Sequence, residues 1–502
     1  MIQGIDYAAV APVLLVAVAA VLVLMLDAFG TPRAVLGWVS SGALALGLAS
    51  VIALSFGDRR ATFCLPSGLR GSGPPSCSYV ADHFTLLFQG LVLAAAVVVV
   101  LLSLGEITRS ALPAGEYHFL LLSATAGAIT LVAARDLITL VVALETLSLP
   151  VFALVALRRY DGVATEASLK LFLVSVISTA VMLFGISLVY GATGAMHLDR
   201  IALAHVPAGL QPVASVGVVL VIAGFAFKVA VVPFHFWAPD VYQGSPLPVA
   251  AFLSVISKAA GFAGLAITLA LGFPAYGHVW GPLVGVLAAL TMTLGNLVAL
   301  RQRHAVRLLA WSSVAQSGYM LAPLAVGSHH LPQAVAATVA YVALYAVMNL
   351  GAFAVVTAFG RRQLRGTASY PSLPSLPSLN ELADYRGLAR RSPLMAAALA
   401  FFLICLAGLP PGIMGLFAKI VVFRAAIGGG VTWLAVVMAL NTVIGLYYYL
   451  AWAVRLFAAP EPEPYDLRTG PAVGLAIGVA AAGAVVLSVA PQIVLQTVSI
   501  VT

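Results

Sequence analysis

Apolar residues fill this chain in long unbroken runs, and polar residues gather in the gaps between them. Runs of spanning length lie near 8–26, 34–56, 84–104, 116–134, 136–157, 168–190, 213–234, 248–272, 279–300, 305–325, 333–358, 393–427, 432–457 and 471–490. A helix needs about 20 apolar residues to cross the hydrocarbon core, so the pattern predicts about fourteen transmembrane helices. Extended alternation of apolar and polar residues, the mark of a membrane β-barrel, is missing. The predicted fold class is an all-α polytopic membrane protein. The opening stretch MIQGIDY carries no basic residue, and no convincing small-residue cleavage site follows. We therefore expect the first run to be a retained helix rather than a signal peptide.

Two runs carry helix breakers. The seventh contains Pro233, and the twelfth contains GLPPG at 408–412, with Pro410 and Pro411. Proline removes a backbone hydrogen bond and frees carbonyls, which at membrane depth is tolerated only inside protein or beside a wet cavity. The breaks lie five spans apart, an odd number, as two units of inverted topology around an ion pathway require. The longest gap, 361–392, contains a Ser-Leu-Pro repeat that favours extended backbone. It reads as a cytoplasmic connector lying against a partner or the lipid headgroups.

Composition sharpens the class. Hydrophobic residues make up 62% and charged residues 8% of 502, against about 25% charged in soluble domains. The net charge of +8 does not point to nucleic acid, because the arginines are sorted by loop. Fifteen fall in odd-numbered loops, from Arg33 to Arg468, and six fall on the other side: Arg59, Arg60, Arg70, Arg135, Arg200 and Arg424. The positive-inside rule then places both termini outside the cytoplasm. Cys64 and Cys77 share the loop 57–83 on the oxidising side, where they either form a disulfide or remain two thiols. Cys405 sits in an apolar run and reads as packing. No Cys/His cluster has zinc or iron–sulfur spacing, and no Gly-rich turn suggests a nucleotide site.

The candidate chemistry lies in the few charges inside the runs. The four lysines, Lys170, Lys228, Lys258 and Lys419, all fall within predicted spans. Each cation at the centre of a span costs about 2.5–3.5 kcal/mol, a poor choice for mere solubility. Lysine also releases its proton when desolvated far more readily than arginine. Glu145 is the acidic residue near the middle of a span. A Glu–Lys pair whose partner can move acts as a proton switch, so Glu145 with Lys228 is a candidate pair; the bland alternative is a structural buried ion pair. Glu166 and Lys170 share a helix face at i, i+4, either as part of the pathway or as an ion pair at the helix entrance. For Lys258 and Lys419 the alternative is snorkelling to the interface. His235 could relay a proton or cap the carbonyls freed by Pro233. His304, among Arg301, Arg303 and Arg307, reads by default as a solvated face. Asp136 suits a helix N-terminus, and Tyr447, Tyr448 and Tyr449 read as packing.

These residues together resemble a known family. KVAVVPFHFWAPDVYQGSPLPVAAFLSVISKAAGF at 228–262 is similar to the seventh and eighth helices of the antiporter-like membrane subunits of proton-pumping NADH:quinone oxidoreductase, complex I. PDVYQG, YGATG at 190–194, EASLKLFLVSVIS at 166–178 and GLYYYL at 445–450 resemble its N branch, the bacterial counterpart of mitochondrial NADH dehydrogenase subunit 2. The resemblance runs from about residue 80 to 457.

It implies fourteen helices: 1–115 with helices 1–3, inverted five-helix repeats at 116–272 and 273–457, and helix 14 in 458–502. It also implies proton transfer through Glu145, Lys228, Lys258 and Lys419, with Glu166, Lys170, His235, His304, Pro233, Pro410 and Pro411 in support. No cofactor is expected in this chain. FMN, iron–sulfur clusters and quinone are expected in partner subunits, and the expected partners are the other membrane-arm subunits, including neighbouring antiporter-like ones. The expected location is a bacterial cytoplasmic membrane. One departure stands out: Gln316 in SSVAQSGY occupies a position where histidine is usual, so a relay there would need water or run through His304. A subunit of a multisubunit sodium/proton antiporter and a non-conducting scaffold are the competing readings.

Overall fold

The computed structural model describes residues 4–66, 75–109, 112–158, 160–360, 363–364, 380–459, 465–466 and 470–499. Helices follow the apolar runs in order: α1 (Tyr7–Ala28), α2 (Arg33–Ser55), α3 (His83–Arg109), α4 (Ala114–Leu131), α5 (Leu137–Ala156), α6 (Gly162–Thr193) and α7 (Gln211–Lys228). The second half continues with α8 (Trp237–Gly244), α9 (Leu247–Gly272), α10 (Gly277–Ala299), α11 (Ala305–Leu321) and α12 (Leu331–Phe359). It ends with α13 (Pro393–Ala407), α14 (Ile413–Gly428), α15 (Thr432–Phe457), α16 (Pro471–Val489) and a short helix, Gln492–Ser499.

Eleven helices among the described residues are long and apolar enough to cross a membrane. The predicted spans not met by that criterion are α4, α11 and the twelfth run, which the structure divides into α13 and α14. The seventh run is likewise divided, into α7 and α8. The Ser-Leu-Pro repeat lies outside the described residues.

Burial orders the helices. The spanning window of α9 is 100% enclosed and that of α12 is 89% enclosed, whereas α6 and α16 keep most of theirs on the outside. Of the helices that meet the spanning criterion these two are the most enclosed, and α9 carries Lys258. Close approach elsewhere depends on glycine. Gly185 on α6 and Gly217 on α7 face each other so closely that a Cβ on either would meet the other's carbonyl oxygen below 3 Å.

Aspartate side chains begin several of the helices. Asp6 caps α1, Asp161 caps α6, and Asp136 accepts from the amides of Ile138 and Thr139 to cap α5, each supplying an acceptor for otherwise orphaned N–H groups. The all-helical expectation needs two additions: β1 (Arg60–Cys64) pairs antiparallel with β2 (Cys77–Ala81), and the two-residue segments Gln363–Leu364 and Tyr465–Asp466 pair antiparallel as well. Cys64 and Cys77 lie opposite each other in the β1–β2 ladder, and their sulfurs are bonded.

Asp82, between β2 and α3, accepts from Thr85 N–H at 2.9 Å and from Arg135 at 2.8 Å. The same guanidinium donates to the carbonyls of Val132 and Ala134, tying the hairpin to the α4–α5 connection. Burial favours the neutral acid, but the Arg135 charge and the Thr85 amide prevail and hold Asp82 below the usual carboxylate range. A depressed folded value means the contribution is present above the unfolded carboxylate range and is lost as pH falls through the folded value. Asp82→Asn should therefore lower the thermal unfolding midpoint of the detergent-solubilised protein at pH 7. Near pH 3, approaching protonation of the wild-type group, the gap should narrow.

Candidate functional site

α7 stops at Lys228 although the sequence stays apolar. Ala230 turns into the left-handed region at φ 56°, and the Val231 amide bonds back to the Ala226 carbonyl at 2.8 Å. Pro233 has no N–H to donate, and helix resumes at Trp237. Lys228 therefore occupies the C-terminal end of a half-helix, where the backbone dipole favours a cation. Its Nζ donates to Ser148 Oγ on α5 at 2.8 Å. Gly261 on α9 leaves the slot for the lysine stem, since a Cβ there would lie 3.1 Å from Lys228 Cγ. A cavity of about 10 Å³ beside the amine is lined by Ser148, Ser175, Trp237 and Ser257, room for about one water.

The second break has the same logic in a different order. α13 ends at Ala407, Gly408 adopts φ 82°, and Pro410 and Pro411 carry the chain to the start of α14. Lys419, on the far side of the break, reaches back and donates to the Ala407 carbonyl at 2.6 Å. The amine also stands 5.6 Å from the centre of the Tyr319 ring. A C-terminal carbonyl of a half-helix thus serves the cation directly.

Between the breaks sits Lys258, directly after a widened π turn at Leu253–Ser257, a form of helix common at functional positions. Its ammonium donates to the Ser313 carbonyl (2.6 Å), Ser313 Oγ (2.6 Å) and Ser317 Oγ (2.7 Å), all on α11. Ser317 Oγ donates in turn to the Val229 carbonyl in the first break, at 2.7 Å. Tyr345 on α12 donates to Ser313 Oγ at 2.8 Å. Lys228, Lys258 and Lys419 are only 7%, 2% and 6% exposed, which excludes snorkelling for all three.

From Lys258 a polar track continues towards Lys419. Ser312, next to Ser313, is hydrogen-bonded to Tyr449 of α15. Gln316 donates to Tyr449 (3.1 Å) and to the Leu406 carbonyl (3.5 Å), and accepts from Tyr341 (2.5 Å). Leu406 precedes Ala407, whose carbonyl holds Lys419. Gln316 thus forms a junction at the expected histidine position: it cannot titrate, but it holds two tyrosine hydroxyls and touches the second break. A side branch joins Tyr448 to Asn296 (2.9 Å) and Asn296 to Asn441 (3.1 Å).

Several expectations are revised by this geometry. Glu145 and Lys228 form no direct ion pair; Glu145 accepts from Thr179 on α6 at 2.6 Å, while Lys228 engages Ser148, three residues along α5. Lys170 lies within α6 but is exposed, paired with Glu166 (2.7 Å) and also with Asp240 (2.9 Å), which Arg307 shares at 2.8 Å. That network joins α6, α8 and α11 on the surface, away from the buried track. His304 precedes α11, and its backbone runs antiparallel to that of Glu381, with Ala305 N–H donating to the Asn380 carbonyl and Leu382 N–H to the Arg303 carbonyl. His304 lies nine residues before Ser313, about 13 Å along the helix, so it offers no bypass of Gln316. Partial burial holds its imidazole below the usual range. His235, in the first break, packs against Trp311 with ring centres 5.3 Å apart and planes tilted by 59°.

The reading from sequence missed Ser148, Thr179, Ser313, Ser317, Tyr341 and Tyr345, and took Tyr449 for packing. A signal existed: Ser313 and Ser317 on α11, like Tyr341, Tyr345 and Asn349 on α12, recur every four residues and so share one helix face.

Comparison with known proteins matches residues 134–445 to the family described as NADH:quinone oxidoreductase/Mrp antiporter, TM. NADH-quinone oxidoreductase subunit N 2 of Streptomyces griseus subsp. griseus is 52% identical, covering 100% of this chain and 94% of that protein. NADH-quinone oxidoreductase subunit N of Salinispora tropica is 44% identical over 92% of this chain and 87% of its own. Among solved structures, a chain of respiratory complex I from Thermus thermophilus with bound aureothin superposes with a TM-score of 0.77 at 32% identity, covering 97% and 98% of the two chains. A chain of the Mrp complex from Dietzia sp. reaches 0.81 at 22% identity over 98% and 96%, a likeness of fold.

Methionine matches lysine in length without its charge. Because desolvating a buried charge costs energy, Lys258→Met should leave the thermal midpoint level or higher. Replacing both Ser313 and Ser317 by alanine, with the ammonium retained, should instead lower stability by about 1–3 kcal/mol. Thermal unfolding of the purified protein in detergent separates the two outcomes.

Proposed function

Because the chain belongs to the NADH:quinone oxidoreductase/Mrp antiporter transmembrane family, we propose that it is a proton-translocating subunit in the membrane arm of a respiratory NADH:quinone oxidoreductase. It is a component of a translocase, and electron transfer from NADH to quinone takes place in partner subunits that carry FMN and iron–sulfur clusters. The chain crosses a bacterial cytoplasmic membrane fourteen times with both termini outside the cytoplasm. Helices 4–8 (116–272) and 9–13 (273–457) act as two inverted repeats beside neighbouring antiporter-like subunits.

The observation that carries this reading is the track of hydroxyls, one amide and backbone carbonyls between Lys258 and Lys419. A scaffold has no need of amines at membrane depth with such a connection between them. Glu145 and Lys228 work as a pair coupled by charge rather than by contact, Glu145 held by Thr179 and Lys228 by Ser148 beside the small cavity. Charge changes at one bias proton occupancy at the other, so the pair titrates jointly. Lys258 receives the proton at the centre, and Lys419 passes it to the exit or to the next subunit. Gln316 does not carry the proton but orients the Tyr449 and Tyr341 hydroxyls beside it. The names of the relatives favour the respiratory complex over the sodium/proton antiporter, whose solved representative supports only the fold.

In proteoliposomes holding the complete complex, Lys228→Ala should cut NADH-driven proton uptake about tenfold or more while the complex still assembles. Normal pumping by that variant would remove Lys228 from the pathway. A sodium gradient formed without NADH oxidation would favour the antiporter reading.

A further inference from the structure

Arg424 departs from the rule that places most arginines of this chain in the odd-numbered loops. It lies within α14, four residues before the helix ends at Gly428, and its side chain is exposed. This end of α14 packs on the turn Ala322–Val326 that precedes α12, with Gly429 against Val326, and shares a groove with the start of α12, on the face opposite the arginine-rich loops. Among the described residues Arg424 shows no ion pair or hydrogen bond. So near a helix end the guanidinium reaches headgroup depth, and the positive-inside rule gives no reason for one on this face.

The side chain opens onto a groove of about 470 Å³ between α12 and α14. Its polar groups sit at one end: Arg424, His330 and Gln333. Below them the wall is Ala337 and Ala340 of α12, with Leu495 of the last short helix closing the side. Ala340 lies seven residues beyond Gln333, about 10 Å deeper along the helix. No acidic residue is among the described residues lining the groove. A cationic mouth at headgroup depth above a narrow apolar trough has the polarity profile of one phospholipid molecule. A partner helix packed along the groove would instead leave the polar residues without a reason to cluster at one end.

We propose that this groove binds an anionic phospholipid, with its phosphodiester at Arg424, His330 and Gln333 and an acyl chain along the alanine wall of α12. The test uses the complete complex in nanodiscs, with phosphatidylglycerol and phosphatidylcholine probes bearing the same photoreactive acyl chain, and maps the labelled peptides. Phosphatidylglycerol should label segments 333–340 and 421–429 about fivefold more than phosphatidylcholine. Arg424→Gln should bring that ratio to about one, and Arg424→Lys should keep most of it; NADH oxidation by each variant complex reports intact assembly. Equal labelling by both lipids in the wild type overturns the proposal, as does an unchanged ratio in Arg424→Gln. So does efficient cross-linking of Ala336→Cys in the groove to a neighbouring subunit.

Discussion

Everything in this molecule is arranged around the difficulty of keeping ammonium groups where water is scarce. A regular helix has no acceptors to spare, because its carbonyls are used internally. Breaking two helices releases some. Ala407 gives its carbonyl to Lys419, Val229 gives its carbonyl to the serine that holds Lys258, and Lys228 sits on the negative end of α7 itself. The breaks are therefore part of the solvation of the charges. The glycines opposite the lysine stems, Gly261 and Gly408, keep that solvation within reach.

The fold was largely legible because membrane insertion writes itself in long apolar runs. The breaks were equally plain, since Pro233 and the Pro410–Pro411 pair have few other uses at such depth. The β1–β2 hairpin was not legible: Arg60–Cys64 and Cys77–Ala81 are short, and only their mutual register reveals a ladder. Nor did apolarity alone reveal α4 or α11 as clearly as their neighbours. Both carry polar residues facing protein, such as His118 on α4 and Ser313 on α11, because their surroundings are other helices rather than lipid.

For the site, charge was readable and its wiring was not. Buried lysines announce themselves by cost, but their partners are serines, tyrosines and carbonyls, residue types too common to be noticed singly. Lys170 shows the converse error. A span assigned from hydropathy says nothing about which face a residue takes, and Lys170 takes the outer one beside Asp240, 70 positions away in sequence. Glu145 and Lys228 do not meet: each is held by its own hydroxyl, Thr179 and Ser148, where a direct contact was expected.

The cage around Lys258 keeps a strict count of hydrogens. The three N–H bonds of the ammonium are matched by three oxygens, and the hydrogen of Ser317 is already engaged with Val229. A neutral amine has two hydrogens and a lone pair, so on discharge one oxygen faces nitrogen with nothing between them. Of the three, the Ser313 carbonyl has no hydrogen to offer, whereas the hydroxyls of Ser313 and Ser317 can each turn one inward. Ser313 Oγ accepts from Tyr345 and so gives up no acceptor by turning, while Ser317 would abandon the Val229 carbonyl, next in sequence to Lys228. The cage thus has two ways to meet a neutral amine, and only one of them unfastens the clasp on the first broken helix.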